Sequence, residues 1–387
     1  MYPKISDFIN DIFGTNINLP IQSYGFFVAL AFFVATLILY HELKRKEKEG
    51  VIPVQFKKVL KGKPAGFIEL SISFILGFII GYKIIGAILI YSSFAEQPDQ
   101  YIFSLKGNIW GGLAFGVYSL YSVFRDKKKN QLEEPVWEDV KIHPYELTAS
   151  LIFIAAVSGI IGAKIFHQLE NIDEFLTDPV GSLLSFSGLT FYGGLIVAGL
   201  TLLFYAKKSN IPKAHLADAI APVLMIGYAI GRIGCQVAGD GDWGIINLEP
   251  KPAWLSFLPE WLWAYDYPHN VLNMGVFIDG CVGTNCFHLA NPVFPTPVYE
   301  TITCLIMFLG LWLSRKKIKI PGILFSVYLI LNGIERFFIE KIRINETYTI
   351  FDFQITQAEI ISVLLIIAGI ISIFLFIKHH NKNKIVS

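Results

Sequence analysis

The chain has 387 residues, of which 53% are hydrophobic and 16% charged, and its formal net charge is +1. So apolar a composition excludes an ordinary soluble domain and indicates a protein that has lipid as its solvent. The near-neutral charge argues against nucleic-acid binding, because a protein that holds the phosphate backbone needs a basic face.

Nine apolar runs each approach the roughly 20 residues that a helix needs to cross the hydrocarbon core of a bilayer. The runs cover residues 21–41, 66–92, 107–124, 144–168, 188–206, 215–237, 297–314, 321–340 and 357–377. They are continuous rather than short and alternating, which favours membrane helices over a membrane β-barrel. We therefore predict an all-α fold, a polytopic membrane helix bundle of about nine transmembrane helices.

The positive charges predict the orientation of these helices. Of the 32 Lys and Arg residues, 23 lie in one set of alternating loops and five in the opposite set. Because Lys and Arg accumulate in cytoplasmic loops, we predict that the N-terminus is outside and the C-terminus inside. The long connection 239–296 is then an outer loop.

The outer loop carries several Trp and Tyr residues, which favour the membrane interface. Two compatible roles follow, a loop that lies on the membrane surface and a cap that contacts a substrate. Cys281 and Cys286 lie in the same loop. In an oxidising compartment they either form a disulfide or remain two thiols.

An internal repeat is visible in the first half of the chain. IIGYKI at 79–84 matches IIGAKI at 160–165, and IWGGL at 109–113 matches FYGGL at 191–195, at offsets of 81 and 82 residues. The two matches predict that the helix pair 66–124 is a duplicate of the pair 144–206. An even number of added spans leaves the downstream topology unchanged.

Arg232 lies near the outer end of the sixth predicted span, within GYAIGRIGCQVAGDGDWG. An ionisable group inside a span is a functional candidate, because lipid makes it costly. A guanidinium can hold a phosphate through two parallel hydrogen bonds, and the neighbouring glycines allow a close approach of the backbone. The segment predicts a phosphate-handling site. The alternative is an arginine that pairs with an acid only to stabilise the bundle.

A second polar cluster lies in NGIERFFIEKIR, near the outer end of the eighth predicted span. Arg336, Glu340 and Arg343 are spaced four and three residues apart, which places them on one helix face. Other polar residues lie at the same predicted depth: Tyr24, Tyr192, Tyr299 and Glu300. Arg336, Glu340 and Arg343 either pair only with one another or, as we predict, share a polar pocket with Arg232. The other polar residues form a belt around the outer third of the bundle.

These segments together resemble the prolipoprotein diacylglyceryl transferases of bacteria. GRIGCQVAGDGDWG is similar to that family's G-R-x-G-N-F-x-N-x-E-x-x-G pattern and RFFIEKIR to R-F-x-x-E-x-x-R. FYGGL is similar to F-H-G-G-L, FPTPVYE to H-P-x-Q-L-Y-E and SYGFF to W-Y-G-L. The order is the family's, and the resemblance covers most of 20–60 and 144–377. The pair 66–124 is extra, since the family usually has seven spans.

The resemblance implies an enzyme, and we predict that residues 1–387 form one membrane-embedded catalytic domain. A diacylglyceryl group would pass from phosphatidylglycerol to the thiol of the lipobox cysteine in a prolipoprotein signal peptide, releasing glycerol phosphate. The implied location is the bacterial cytoplasmic (inner) membrane. We expect neither a metal nor another cofactor, and no nucleic-acid partner.

We assign the site residues in two groups. The predicted catalytic residues are Arg336, Glu340, Tyr192 and Asp240. The predicted substrate-binding residues are Arg232, Tyr24, Gly193, Gly194, Cys235, Gly244, Tyr299, Glu300 and Arg343.

The chain departs from the family pattern at three positions. Tyr192 replaces a histidine, Cys235 replaces an asparagine, and Asp240 matches a glutamate with one residue inserted before Trp243. The general base therefore stays open between Tyr192, Glu340 and Asp240. We favour Tyr192 as an orienting group, with a carboxylate or the leaving phosphate accepting the proton.

Two other functions remain as alternatives. Internal repeats and charges within spans are also features of transporters of small or lipid-like solutes. However, the repeat covers four of the nine predicted spans, and the polar residues lie at one face. The departures from the family pattern also permit an inactive relative that serves as a scaffold.

Overall fold

The computed structural model describes residues 1–91, 94, 101–102, 104–184, 190–345, 347–350 and 353–386. The helices of these residues are α1 Ile5–Phe13, α2 Ser23–Lys48, α3 Phe67–Leu89, α4 Ile109–Lys129, α5 Thr148–Glu170, α6 Ile172–Thr177, α7 Pro179–Leu184, α8 Phe191–Lys208, α9 Lys213–Ala238, α10 Thr296–Ser314, α11 Ile323–Glu340 and α12 Gln357–Val386. Three two-stranded sheets pair β1 Gln55–Lys61 with β2 Val136–Ile142, β3 Val276–Phe277 with β4 Phe287–His288, and β5 Thr347–Ile350 with β6 Phe353–Thr356.

Each of the nine predicted spans overlaps one of these α-helices, so the prediction of a polytopic helical membrane protein is confirmed. Among the described residues, six segments are long and apolar enough to cross a membrane: Ser23–Lys48, Phe67–Leu89, Pro144–Glu170, Lys213–Ala238, Thr296–Ser314 and Gln357–Lys382. Charged residues lower the apolar character of α4, α8 and α11. The count of nine and the orientation stay predictions.

A few residues of the predicted spans lie outside the described ranges. They are residue 92, at the end of the second span, and residues 188–189, at the start of the fifth. The prediction of a duplicated pair at 66–124 likewise includes residues 93, 95–100 and 103, which also lie outside them.

The chain divides into two compact units. One comprises residues 1–3, 23–55 and 143–387, and the other comprises residues 4–22 and 56–142. In the larger unit α9 is the central helix and packs on α2, α10 and α11. Its alanines Ala219, Ala221 and Ala229 are fully buried, because small side chains let neighbouring membrane helices approach closely.

Asp218 fixes α11 against α9. Its carboxylate accepts the backbone N–H groups of Gly322 at 2.8 Å and Phe325 at 2.9 Å, at the start of α11. A carboxylate is favourable there because the first N–H groups of a helix lack partners within the helix. This contact sets the register in which α11 later presents Arg336 beside α9.

The two helix pairs of the predicted repeat cross in the same way, each within its own unit. A Cβ on Gly81 of α3 would collide with the carbonyl oxygen of Gly111 in α4, and a Cβ on Gly162 of α5 would collide with that of Gly193 in α8. The offsets between these glycines are those of the sequence repeat, and β1 and β2 also lie 81 residues apart. These correspondences support the duplication, which stays a prediction.

The outer loop is folded around its own small core. Trp243, Tyr267, Leu289 and Val293 are buried there. The hairpin β3–β4 is closed by a disulfide between Cys281 and Cys286, which settles the alternative that the sequence left open. Neither proposed role of this loop, membrane contact or substrate cap, is tested by its fold.

Candidate active site

Arg232 is held between two carboxylates. It lies near the end of α9, and its Nε is 2.8 Å from Oε2 of Glu300 in α10. Its Nη1 donates to Oδ2 of Asp242, just beyond α9. The chain returns to Arg232 because Gly239 ends α9 in the left-handed conformation, with φ 65°, where a residue without a side chain meets little strain.

Arg343 binds the same two carboxylates. Its Nη1 is 3.3 Å from Oε1 of Glu300, and its Nη2 donates to Oδ1 of Asp242. The four side chains therefore form a closed ring in which arginine and carboxylate alternate. We call Arg232, Glu300, Arg343 and Asp242 the charge ring. Such mutual pairing is required of buried charges, since an unpaired one loses its hydration without compensation.

Glu300 is the most deeply buried member of the ring, with a side chain that is 0% exposed. Besides the two arginines, the hydroxyl of Tyr228 donates to its Oε2. Tyr228 lies one turn before Arg232 on α9, and the guanidinium carbon of Arg232 is 5.1 Å from its ring centroid. Three donors thus fix one carboxylate, in an arrangement of charge-assisted hydrogen bonds.

Gly244 is the junction that brings Asp242 and Arg343 together. Its N–H donates to the carbonyl of Phe294 at 2.8 Å, and it forms a β-bridge with Arg343. Thr296 Oγ1 donates to the carbonyl of Asp242 at 2.7 Å. A Cβ on Gly244 would collide with the backbone carbonyl of Ile342. The predicted substrate-binding glycine therefore has a clear structural role.

Arg336 lies beside the ring, with partners of its own. Its Nη2 is 3.0 Å from Oε2 of Glu340, one turn later on α11. Asn345 Nδ2 donates to the other oxygen of Glu340 at 2.6 Å. Arg336 also makes a hydrogen bond with the side chain of Tyr192. The predicted catalytic residues Arg336, Glu340 and Tyr192 are thus brought together.

Cys235, Asp240 and Tyr24 border the ring on the side of α2. The Cys235 thiol is 3.5 Å from Oδ2 of Asp242 and 3.7 Å from Nη1 of Arg232. Asp240 Oδ1 accepts the N–H of Asp242 at 3.3 Å. A Cβ on Gly234 would lie 3.4 Å from the Tyr24 ring, so Tyr24 packs against α9.

The pKa values of the two aspartates that follow α9 are shifted in opposite directions. Burial raises the pKa of Asp240 above its usual value, and the negative charge of Asp242 raises it further. Burial also acts to raise the pKa of Asp242, but the charges of Arg232 and Arg343 outweigh it and hold that pKa below its usual value. Asp242 is therefore the permanent anion, and Asp240 is the carboxyl group suited to exchange a proton.

Cys235, Asp240 and Asp242 also form a candidate set of metal ligands. One ligand atom from each lies within 4.8 Å of the others. However, both oxygens of Asp242 already receive an arginine N–H. A cation would have to compete with two guanidinium groups, so the set does not fit a metal well.

Three predicted substrate-binding residues have other contacts. Gly193 and Gly194 face α5, where a Cβ on Gly193 would collide with Phe166 and one on Gly194 would lie 2.9 Å from the carbonyl oxygen of Gly159. Tyr299 donates its hydroxyl to the carbonyl of Leu262 at 2.7 Å and so ties the outer loop to α10. The substrate-binding assignment of all three stays a prediction.

Sequence reasoning left three residues out of the predicted site. Asp242, rather than Asp240, is the acid that pairs with both ring arginines, because the turn after α9 places it there. Tyr228 precedes Arg232 by four residues, a spacing that indicates one helix face. Glu335 is 4% exposed and lies on α11 next to Arg336.

Comparison with known proteins identifies the family. The sequence profile described as prolipoprotein diacylglyceryl transferase matches residues 131–375, more than half of the chain. The chain belongs to the prolipoprotein diacylglyceryl transferase family. The matched range begins after α4, so α3 and α4 precede the region shared with the family.

Three family members illustrate the similarity, each named phosphatidylglycerol–prolipoprotein diacylglyceryl transferase. The protein of Oceanobacillus iheyensis is 29% identical over 59% of this chain and 72% of its own length. That of Dehalococcoides mccartyi is 28% identical over 62% and 80%. That of Corynebacterium glutamicum is 28% identical over 60% and 70%.

Proposed function

We propose that this protein transfers the diacylglyceryl group of phosphatidylglycerol to the lipobox cysteine thiol of prolipoproteins and releases glycerol phosphate. Family membership and the names of the relatives support this activity. The observation that carries it is the cluster of Arg232, Arg336 and Arg343 around buried carboxylates. An enzyme that releases a phosphate needs fixed positive groups where that charge develops.

Arg336 and Arg343 have donor groups to spare for a phosphate. The Nε of Arg343 is buried and has no hydrogen-bond partner among the described residues. The ion pair of Arg336 with Glu340 uses only its Nη2. Arg232 is fixed by the charge ring and adds its positive charge from one side. We assign the phosphate of phosphatidylglycerol to this place.

The positions of these groups support the following reaction. The cysteine sulfur attacks the glyceryl carbon, a C–S bond forms, and the C–O bond to phosphate breaks with its electron pair moving to the phosphate oxygen. The arginines stabilise that charge and favour the thiolate form of the incoming cysteine. The thiol proton passes to Asp240, Glu340 or the leaving phosphate, and Tyr192 orients the reacting groups through Arg336.

We also propose a location and a topology, which the apolar runs and the charges of the loops support. The protein lies in the bacterial cytoplasmic membrane, crosses it nine times and has its N-terminus outside. The charge ring joins the end of α9 to the start of α10 and so lies at the outer face. There it meets the signal peptide of a prolipoprotein and the phosphatidylglycerol of the outer leaflet.

The test is transfer by the purified protein. It is incubated in detergent with phosphatidylglycerol and a lipobox peptide, and the thioether product and glycerol phosphate are measured by mass spectrometry. We expect product from the wild type and a loss of at least about a hundredfold for Arg232→Ala and Arg336→Ala, the order seen when one electrostatic stabiliser is removed.

Arg315→Ala is the matched control for these variants. Arg315 pairs with the buried carboxylate of Glu42 at 3.0 Å, but follows α10 at the end opposite to Glu300. Its loss should lower stability and leave the specific activity of the folded protein unchanged. Unaltered transfer by both site variants would contradict the site. No transfer by the wild type at any lipid composition would favour a transporter or a scaffold.

A further inference from the structure

Glu335 is a buried carboxyl group that the proposed reaction does not use. It is 4% exposed, and neither of its oxygens has a hydrogen-bond partner among the described residues. It lies one residue before Arg336 on α11, a helix whose start is fixed to α9 by Asp218. A buried polar group without a partner is costly and calls for an explanation.

The surroundings of Glu335 are strongly charged. The charged groups that act on it are Arg232 of α9, Glu300 of α10, Arg336 of α11 and Arg343 beyond α11. The neutral titratable groups nearby are Tyr228, Cys304 and Tyr328. On the remaining side α11 packs on α12, where Gly333 meets Ser362 and Ile366. Glu335 therefore borders both the charge ring and Arg336.

None of the three arginines donates to Glu335. Arg232 and Arg343 are engaged with Glu300 and Asp242. Arg336 is engaged with Glu340. Three positive charges are thus matched by three paired carboxylates, and Glu335 is a further acid with which none of these arginines pairs. A phosphodiester that enters this cluster brings one more negative charge.

We propose that Glu335 is a positioning residue for the anionic headgroup, carrying a proton whenever a phosphodiester occupies the arginine cluster. The inference rests on the proposed function and adds one requirement of the same site, a neutral side chain at Glu335. As the neutral acid, Glu335 leaves the positive field of the arginines available to the phosphate. As a carboxylate, it repels the phosphate across a medium of low dielectric constant. Headgroup binding is therefore coupled to proton uptake.

The experiment measures binding of short-chain phosphatidylglycerol, without peptide, across a pH series. Wild-type affinity should fall by roughly tenfold as Glu335 ionises, the change that one added like charge produces. Glu335→Gln, which is always neutral, should bind tightly at every pH. Glu335→Asp should retain the pH dependence. Short-chain phosphatidylcholine, which has no net charge, should bind the wild type weakly and independently of pH.

Two results would overturn the role of Glu335. One is a Glu335→Gln protein that melts like the wild type yet shows the wild-type pH dependence. The other is loss of that dependence in Asp240→Asn, which would assign it to the other proton-exchanging acid. Should Glu335→Gln fail to fold, calorimetry of the wild type decides, in two buffers of different ionisation enthalpy and at the pH where its affinity falls. Binding without proton uptake at that pH contradicts the proposal.

The transfer assay keeps this inference separate from the proposed function. A wild type that forms the thioether product, but binds the lipid without proton uptake, retains its function and loses only the role of Glu335. A wild type that forms no product contradicts the function itself, whatever the binding experiment shows.

Discussion

Arg232 and Arg343 share the carboxylates of Glu300 and Asp242, although one arginine lies in α9 and the other follows α11. The charge ring that they complete joins the end of α9, the start of α10 and the segment that follows α11. It holds positive charge in place before any substrate arrives, which is the condition for electrostatic stabilisation of a leaving phosphate.

We expect Glu300→Gln to be the most damaging single change in the ring. It leaves two buried guanidinium groups with only one of their two shared anions, at a cost of about 3–5 kcal/mol in unfolding free energy. Tyr228→Phe removes a donor to the same carboxylate and should cost about 1 kcal/mol. Thermal denaturation in detergent compares the two, and equal effects would show that Glu300 does not hold the ring.

Asp242→Asn should lower stability near neutral pH, because the arginines lose an anion. The expected loss is roughly 1–3 kcal/mol, reduced by solvent because Asp242 is partly exposed. The pKa of Asp242 is held below its usual value, so its contribution is present above the unfolded-state pKa and is lost as the pH falls through the folded-state pKa. Melting curves of wild type and variant should converge toward low pH. A constant difference would contradict the charge pairing.

Asp240→Asn should have the opposite effect. Burial raises the pKa of Asp240, so the folded protein loses stability as the pH rises from the unfolded-state pKa through the folded-state pKa. An asparagine removes that loss, so the melting temperature of the variant should exceed that of the wild type near neutral pH. Below about pH 4 the aspartic acid and asparagine side chains are both neutral, and the difference should vanish. If Asp240 accepts the thiol proton, the more stable variant is also the less active one. Full transfer activity would exclude it as the base.

Gly244→Ala tests whether Gly244 acts through the backbone junction that positions Arg343. The added Cβ meets the carbonyl of Ile342, which a backbone cannot easily move, so we expect a loss of about 1–3 kcal/mol and a displaced Arg343. Gly199→Ala in α8 is the control, since nothing lies within 4 Å of that Cβ. Transfer by Gly244→Ala at the wild-type rate would show that the junction does not position the site.

Two substitutions of Tyr192 test the position at which the family pattern has a histidine. If its hydroxyl orients the reacting groups through Arg336, Tyr192→Phe should lower kcat more than Tyr192→His, which keeps a group that can accept a hydrogen bond. Rates of thioether formation at saturating lipid measure this. Equal rates for Tyr192→Phe and the wild type would reduce the tyrosine to a space-filling role.

The sequence predicted the helices well because long apolar runs have few alternatives in lipid. It also predicted Arg232, Arg336 and Arg343 as neighbours, because each lies near the same end of its helix. The pairing within the ring was not predictable. It depends on how the chain turns at Gly239, which places Asp242 rather than Asp240 against Arg232.

Two other features needed the tertiary structure. The glycines of FYGGL read as substrate contacts in the motif, whereas their positions are set by the crossing of α8 with α5. Glu335 has no distinctive spacing, and only its lack of a donor in the folded protein draws attention to it.

The disulfide between Cys281 and Cys286 bears on the predicted orientation of the chain. Such bonds persist in oxidising compartments and are rare in the reducing cytosol. The outer loop is tied to the start of α10 by Tyr299, close to Glu300. A disulfide at this position therefore supports the proposed location of the charge ring at the outer face of the membrane.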